Sequence, residues 1–195
     1  MCDDWNDERL MLAYRDGDVR AFEILYGRYR GALYRYLAHQ CGNPAFAEEL
    51  YQDIWIKVVN ARASYEPLAK FSTWIFRIAH HRLLDHYRKR APEVAARFEM
   101  RPADDDLEFG DLISQQAAPQ HETPHALYDQ RATAQRIALA LAELPAPQRE
   151  AFLLAEEGGL SLDEIAITTA SSRETSKSRL RYALSKLRHS LQDLL

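Results

Sequence analysis

The sequence predicts an all-α protein built as two small helical domains joined by a flexible acidic linker, and three observations predict it. Apolar residues recur at three- and four-residue spacing over long stretches, no alternating β-type stretches stand out, and only 7 glycines occur. Two basic clusters lie far apart: Lys70, Arg77, Arg82, Arg88, Lys89 and Arg90 against Asp85, then Arg173, Lys177, Arg179, Arg181, Lys186 and Arg188 against Glu174. Between them, residues 92–124 hold four prolines, the acids Asp104, Asp105, Asp106, Glu108 and Asp111, and the string SQQAAPQHETP. That is the composition of a tether, too long for a structureless loop inside one domain. A chain of 195 residues that is 47% hydrophobic has enough apolar material for two small cores.

Element by element, residues 18–41 predict a helix with Phe22, Leu25, Tyr26, Tyr29, Leu33, Tyr36 and Leu37 on its buried stripe. Gly42, Asn43 and Pro44 then supply a helix end, a cap and a first helical position. The next helix runs to about Asn60, with Ala47, Leu50, Tyr51, Ile54 and Val58 inward and Glu48, Glu49, Gln52 and Asp53 largely on the other side. A loop over 61–69 precedes a helix over 71–90, whose inner arc is Ile75, Phe76, Ala79, Leu83 and Tyr87. Lys70, Trp74, Arg77, His81 and Arg88 take the opposite arc. Pro92 is expected to stop this helix, because the residue before a proline avoids the α region.

The second domain starts near Ala126. A helix carrying Ile137, Leu141 and Leu144 ends at Pro145, and another holds Phe152 and Leu153 until Gly158-Gly159 breaks it. Ser161 with Glu164 three residues on predicts a capping box opening a short helix over 162–168. A polar turn leads into a long helix from 173, with Leu180, Leu184, Leu187, Leu191 and Leu194 inward.

Charge and cysteine usage exclude several classes. The formal net charge of −4 argues against coating naked nucleic acid by bulk charge. Cys2 and Cys41 form no CxxC pair, as in a reducing cytoplasm. The beginning MCDDWNDERL has no apolar core of a secretory signal, and no run of about 18 apolar residues suggests membrane insertion.

Two constellations point to nucleic acid. A short capped helix, a tight turn and a longer basic helix make helix-turn-helix geometry. With the leucines inward, Glu174, Ser178, Arg181 and Ser185 face outward, with Thr175 and Tyr182 at one edge. Arginine can chelate guanine and glutamate can accept from cytosine, while Lys177 and Arg179 at the flanks suit phosphates. A solvated helix closing a small bundle would look the same at this level. The basic stripe carrying Trp74, beside Tyr65 and Phe71, suits single-stranded DNA, on which aromatics stack and cations follow the backbone. The same aromatics also fit a core. A duplex reader and a single-strand reader on one chain suggest promoter recognition with melting.

The strings AEELYQDIWIKVVNAR and FSTWIFRIAHHRLLDHYRKR resemble sigma region two, and ALAELPAPQREAFLLAEEGGLSLDEIAITTASSRETSKSRLRYALSKLR resembles region four, of the extracytoplasmic-function (ECF) sigma factors of the sigma-70 class. The resemblance implies region two over 7–92, an acidic linker over 93–125 and region four over 126–195, with no cofactor, no metal and no catalysis of its own. It implies that Glu49, Gln52, Asp53 and Ile56 dock on the clamp helices of core RNA polymerase, whose flap is a further contact. Tyr65, Phe71, Ser72, Thr73 and Trp74 would line a pocket for a flipped minus-ten base, with Arg77 and His81 on phosphates. Arg173, Glu174, Thr175, Lys177, Ser178, Arg179 and Arg181 would read the minus-thirty-five duplex of promoter DNA. The linker would thread through the polymerase, and an anti-sigma partner is expected.

Two departures from the family pattern bear on the second reader. Thr169-Ala170-Ser171 stands where Leu-Gly-Val is usual, and Ser176 stands where an apolar residue is common. Both predict a looser turn or a shifted recognition helix. His121-Glu122-Thr123-Pro124-His125 matches HExxH, but a proline between the histidines and linker-like flanks argue against a zinc hydrolase. The rival readings are a stand-alone helix-turn-helix regulator, which binds duplex tightly without polymerase, and an inhibitor, which binds polymerase without directing starts.

Overall fold

The computed structural model describes residues 4–97 and 124–193, the side chains of 89–97 and 124–130 excepted. Those residues form eight α-helices: α1 Asp7–Arg15, α2 Val19–Cys41, α3 Pro44–Ala61, α4 Phe71–Arg97, α5 Pro124–Ala142, α6 Ala146–Glu156, α7 Leu162–Thr168 and α8 Arg173–Ser190. A single 3-10 turn, Arg62–Ser64, lies between α3 and α4. The greater part of the expected acidic linker, and His121 and Glu122 of the HExxH string, fall outside the described residues.

The punctuation behaves as the sequence predicts. Gly42 ends α2 in the left-handed region at φ 61°, and Asn43 caps α3 by accepting from the backbone N–H groups of Ala45 and Phe46, with Pro44 first in the helix. In contrast, α4 is not stopped by Pro92 and runs on to Arg97. A proline forfeits one helical hydrogen bond, and the strong helix formers after it, Glu93, Ala95, Ala96 and Arg97, carry the helix past the loss. Helix α1, not among the elements the sequence predicts, buries Leu10, Met11 and Tyr14. Polar links fasten it further: Asp7 receives the Arg28 guanidinium at 2.6 Å and the Tyr29 hydroxyl at 2.5 Å. Glu8 accepts the Phe71 backbone N–H at 2.7 Å and so caps the start of α4.

Helices α1–α4 pack around Leu10, Leu25, Leu33, Leu37, Ile54, Ile75 and Phe76, all fully buried. Trp55 closes the α2/α3 seam, with ring centroids 5.7 Å from Phe22 and 4.9 Å from Tyr26. Tyr87, expected inward, is 43% exposed and donates its hydroxyl to the Gln40 carbonyl at 2.6 Å. In the second domain α8 packs on α6 and α7. Its inner stripe is Ser176, Ala183 and Leu187, with Leu180 and Leu191 partly buried, whereas Leu184 is 39% exposed. The helix is therefore turned by a fraction of a residue from the all-leucine stripe.

The helix-helix turn is not loosened. Ala170 takes the left-handed conformation at φ 49° that a glycine would occupy. Ser171 N–H bonds back to the Ala166 carbonyl at 2.9 Å. Ser176, fully buried, shares a hydrogen bond of 3.0 Å with Ser171, which shares one of 3.0 Å with Thr169, whose hydroxyl also reaches the Ile165 carbonyl at 2.8 Å. A chain of hydroxyls replaces the apolar plug and satisfies its own buried polar atoms. The left-handed alanine remains strained by roughly 1–2 kcal/mol, of which glycine's extra unfolded-state freedom would return about 0.4–1 kcal/mol. Ala170→Gly is therefore expected to raise the melting temperature by roughly 1–4 °C in a thermal scan; no change or a loss would show the turn to be unstrained.

Candidate nucleic-acid interface

The first candidate site is a groove of about 310 Å³ where the 3-10 turn, the loop after it and the first turns of α4 meet, lined among others by Ser64, Tyr65, Thr73, Trp74 and Arg77. Trp74 is half-buried and Arg77 exposed on the same arc, as their spacing predicts. Tyr65 is buried to 3% exposure, its ring 5.1 Å from Trp74 and nearly perpendicular to it. Burial pushes its phenol up to about 12. Phe71, expected to line the groove, is fully buried and packs 5.1 Å from Tyr29 and 5.6 Å from Trp74. It supports the tryptophan from beneath and presents no face to a base. Thr73 is 3% exposed, Ser72 half-buried and His81 exposed. Partial burial, then the neighbouring His80 and Arg77, lower the His81 pKa, which favours the neutral ring.

The second candidate site is the outer face of α8. Ser172 caps the helix by accepting the Thr175 N–H at 3.0 Å, and its hydroxyl also meets that of Thr175 at 2.8 Å. Glu174, Lys177 and Arg181 are exposed, while Ser178, Arg179 and Thr175 are half-buried. Arg173 reaches back to Asp163 of α7 at 3.1 Å, and Lys177 lies 3.9 Å from Glu174. The Arg181 guanidinium sits 5.0 Å from the Tyr182 ring. Glu174, Ser178 and Arg181 lie about one turn apart along one outer arc of α8.

Comparison with known proteins matches the two halves of the chain to two regions of one family. Residues 25–93 match the Sigma-70 region 2 family and residues 134–187 the Sigma-70, region 4 family. The ECF RNA polymerase sigma factor RpoE of Cereibacter sphaeroides is 32% identical over 182 residues, covering 92% of this chain and 91% of that protein. The chain belongs to the ECF RNA polymerase sigma factors. The ECF sigma factor SigK of Mycobacterium sp. (strain KMS) is 29% identical over 183 residues, covering 93% and 89%. The fold also matches the sigma factor RpoE in complex with the anti-sigma factor NepR from Bartonella quintana, with a TM-score of 0.67, 23% identity and coverage of 88% and 96%. CnrH in complex with the cytosolic domain of CnrY matches at TM-score 0.65 and 22% identity, covering 96% and 97%. The protein is thus a promoter-directing subunit, and no helix among its described residues is long and apolar enough to cross a membrane.

On the third surface of this sigma factor, the outer face of α3, Glu49 and Gln52 are exposed and Ile56 is 56% exposed. Val59, 37% exposed one turn on from Ile56, extends that apolar strip and was not singled out by sequence. Asp53 is committed within the fold, paired to Arg82 of α4.

Sequence reasoning also missed a set of polar residues joining region two to region four. Arg35 forms a forked pair with Glu157, with Nε 2.9 Å and Nη2 2.8 Å from Oε2. Glu150 lies 2.5 Å from His80 Nδ1 and accepts the hydroxyl of fully buried Tyr36 at 3.2 Å. Lys70 Nζ is 3.1 Å from Glu164 Oε1. Glu164 also completes the predicted capping box, accepting the Ser161 N–H at 2.8 Å and its hydroxyl at 2.7 Å. Burial alone would raise its carboxyl; the Ser161 hydrogen bonds and Lys70 outweigh it and hold the group at about 2. A folded-state value below the ordinary 4.5 adds stability that is complete above that pH and is lost as pH falls toward about 2. Denaturant midpoints measured from pH 6 to pH 3 are expected to fall more steeply for the parent than for Glu164→Gln. Parallel curves would show that the charge of Glu164 contributes nothing.

Proposed function

We propose that this sigma factor reads the minus-ten element as single-stranded DNA in the groove around Trp74 and the minus-thirty-five element as duplex along α8. The observation that carries this reading is Trp74: a half-buried indole held edge-on by Tyr65, backed by Phe71, beside the exposed cation of Arg77. That is a stacking platform with a phosphate contact next to it. Tyr65 and Thr73 form the walls, Ser72 the rim, and His81 a phosphate donor one turn beyond Arg77.

On α8, Glu174, Ser178 and Arg181 face base edges, while Arg173, Lys177, Arg179 and Thr175 position the helix on the backbone. Glu49, Gln52, Ile56 and Val59 dock on the clamp helices of core polymerase, with Asp53 holding α3 against α4, and the flap receives region four. Region two spans 7–92, region four 126–195, and residues 93–125 tether them. The protein acts in the cytoplasm without catalytic chemistry of its own, and an anti-sigma protein, as in the two structural neighbours, is its regulator. With a net charge of −4, the chain reads DNA after it has bound polymerase.

Mixing the purified chain with sigma-free core polymerase and genomic promoter fragments, then mapping RNA starts, tests the proposal. Discrete starts that share two upstream motifs are expected, and they should shift or weaken with Arg181→Ala. Tight duplex binding without polymerase and no dependent starts would overturn it in favour of a stand-alone regulator.

A further inference from the structure

One lip of the groove around Trp74 is apolar and open to water. Leu68, in the loop between the 3-10 turn and α4, is 89% exposed, the most exposed large apolar side chain among the described residues. It lines the groove together with Trp74 and Arg77. Its loop neighbours Glu66, Pro67, Ala69 and Lys70 are exposed as well, so no part of the fold shelters it. Scattered exposed leucines are ordinary on protein surfaces. This one differs in where it stands and in how firmly it is presented.

The loop is short and clamped at its base. Tyr65 before it is 3% exposed and Phe71 after it is fully buried, with their ring centroids 6.4 Å apart. Glu8 holds the Phe71 N–H at 2.7 Å. Between these anchors Pro67 fixes one backbone angle, and the Leu68 N–H donates to the Glu66 carbonyl at 2.8 Å, closing a three-residue turn. A backbone so constrained leaves the leucine little freedom to fold back onto the core. An apolar side chain that finds no cover within its own fold gains from any cover a ligand brings. The half-buried indole and the exposed Arg77 beside it suit a nucleotide strand. Proteins that kink a duplex insert apolar wedges such as leucine between base steps and partly unstack them.

We propose that Leu68 is a strand-separating wedge: its isobutyl group enters the base step vacated when the minus-ten base moves onto Trp74, and it keeps the duplex from closing again. The inference rests on the minus-ten reading given above and adds to it a residue that acts on the duplex rather than on the flipped base. Trp74 receives the base, and Leu68 fills the place the base leaves. The two side chains therefore differ in what they require of the DNA. A wedge matters only while the strands are still paired, whereas a stacking platform is needed on DNA that is already open.

The test uses holoenzyme assembled from the full-length chain and a promoter identified by start mapping, in two forms: fully paired, and premelted by mismatches across the minus-ten element. Permanganate reactivity of minus-ten thymines reads opening on the paired form, and retention of the holoenzyme in competition reads binding to the premelted form. Leu68→Ala should reduce opening of paired DNA by roughly 5- to 30-fold, as the loss of an inserted isobutyl group implies. Leu68→Met should retain most of it. On premelted DNA Leu68→Ala should match the parent, while Trp74→Ala stays impaired. Because Leu68 is 89% exposed, its variants should melt at the parent's temperature, which separates a lost wedge from a damaged fold. Normal opening of paired DNA by Leu68→Ala would overturn the proposal. So would a defect that persists undiminished on premelted DNA, since it would make Leu68 a contact to the open strand or to polymerase. A defect in Trp74→Ala without one in Leu68→Ala sinks only the wedge. No defect in either variant on either DNA sinks the minus-ten reading with it.

Discussion

Trp74→Ala is expected to cut promoter opening by roughly 5- to 150-fold while leaving the binding of core polymerase unchanged. Stacking a base on an aromatic ring is worth roughly 1–3 kcal/mol, and an unpaired minus-ten base regains part of its lost pairing energy only if such a ring is present. Trp74 is proposed for that role because its ring is half-buried and braced by Tyr65 and by fully buried Phe71. The face proposed to dock polymerase lies on α3, whereas Trp74 is on α4. Permanganate reactivity of minus-ten thymines in the assembled holoenzyme reads opening directly, and polymerase affinity is measured in parallel. Trp74→Phe should retain most of the reactivity. Unchanged thymine reactivity in Trp74→Ala would assign the ring to packing alone.

Phe76→Ala should lower the stability of the whole chain by about 3–5 kcal/mol, as removal of a fully buried aromatic ring does. Its ring stands edge-on to Tyr36 at 5.4 Å and borders Gly158 of region four, so the cavity would open where both regions pack. The surrounding helices are held by polar links at fixed positions and cannot collapse freely into the space. For a chain of this size the change corresponds to a fall of roughly 6–20 °C in melting temperature. Calorimetry of parent, Phe76→Leu and Phe76→Ala should show the leucine variant between the other two. A shift of less than about 2 °C for alanine would mean that the seam closes over the vacated volume.

Periodicity and punctuation made most of the helices legible before the structure. Gly42-Asn43-Pro44 and Ser161 with Glu164 mark boundaries because each solves a local backbone problem within three residues, and local problems are written locally. Helix α4 was bounded too early because one proline was given more weight than the helix formers after it. On α8, leucine's greater hydrophobicity drew the inward stripe toward Leu184, whereas close packing against α6 seats the smaller Ala183 there. Phe71 and Trp74 are three apart and equally apolar on paper. Only the position of Tyr29, on another helix, decides which of them sinks. The polar seam was illegible for the same reason in stronger form: His80 finds Glu150 across 70 residues and Arg35 finds Glu157 across 122. No spacing rule reaches that far. The substitutions at Thr169, Ala170, Ser171 and Ser176 were legible as departures, but their mutual hydrogen bonds were not, so a compensated turn read as a weakened one.

The cap that Glu8 places on the first turn of α4 has a consequence for the order in which the protein is born. Glu8 leaves the ribosome 63 residues ahead of the Phe71 N–H it accepts. At ~5–20 residues per second that is a wait of roughly 3–13 s. During it, α1, α2 and α3 emerge with their aromatic seam able to form but with the floor of the groove around Trp74 missing. The face of α3 proposed to dock polymerase is therefore synthesised in full before the groove proposed to take the minus-ten strand.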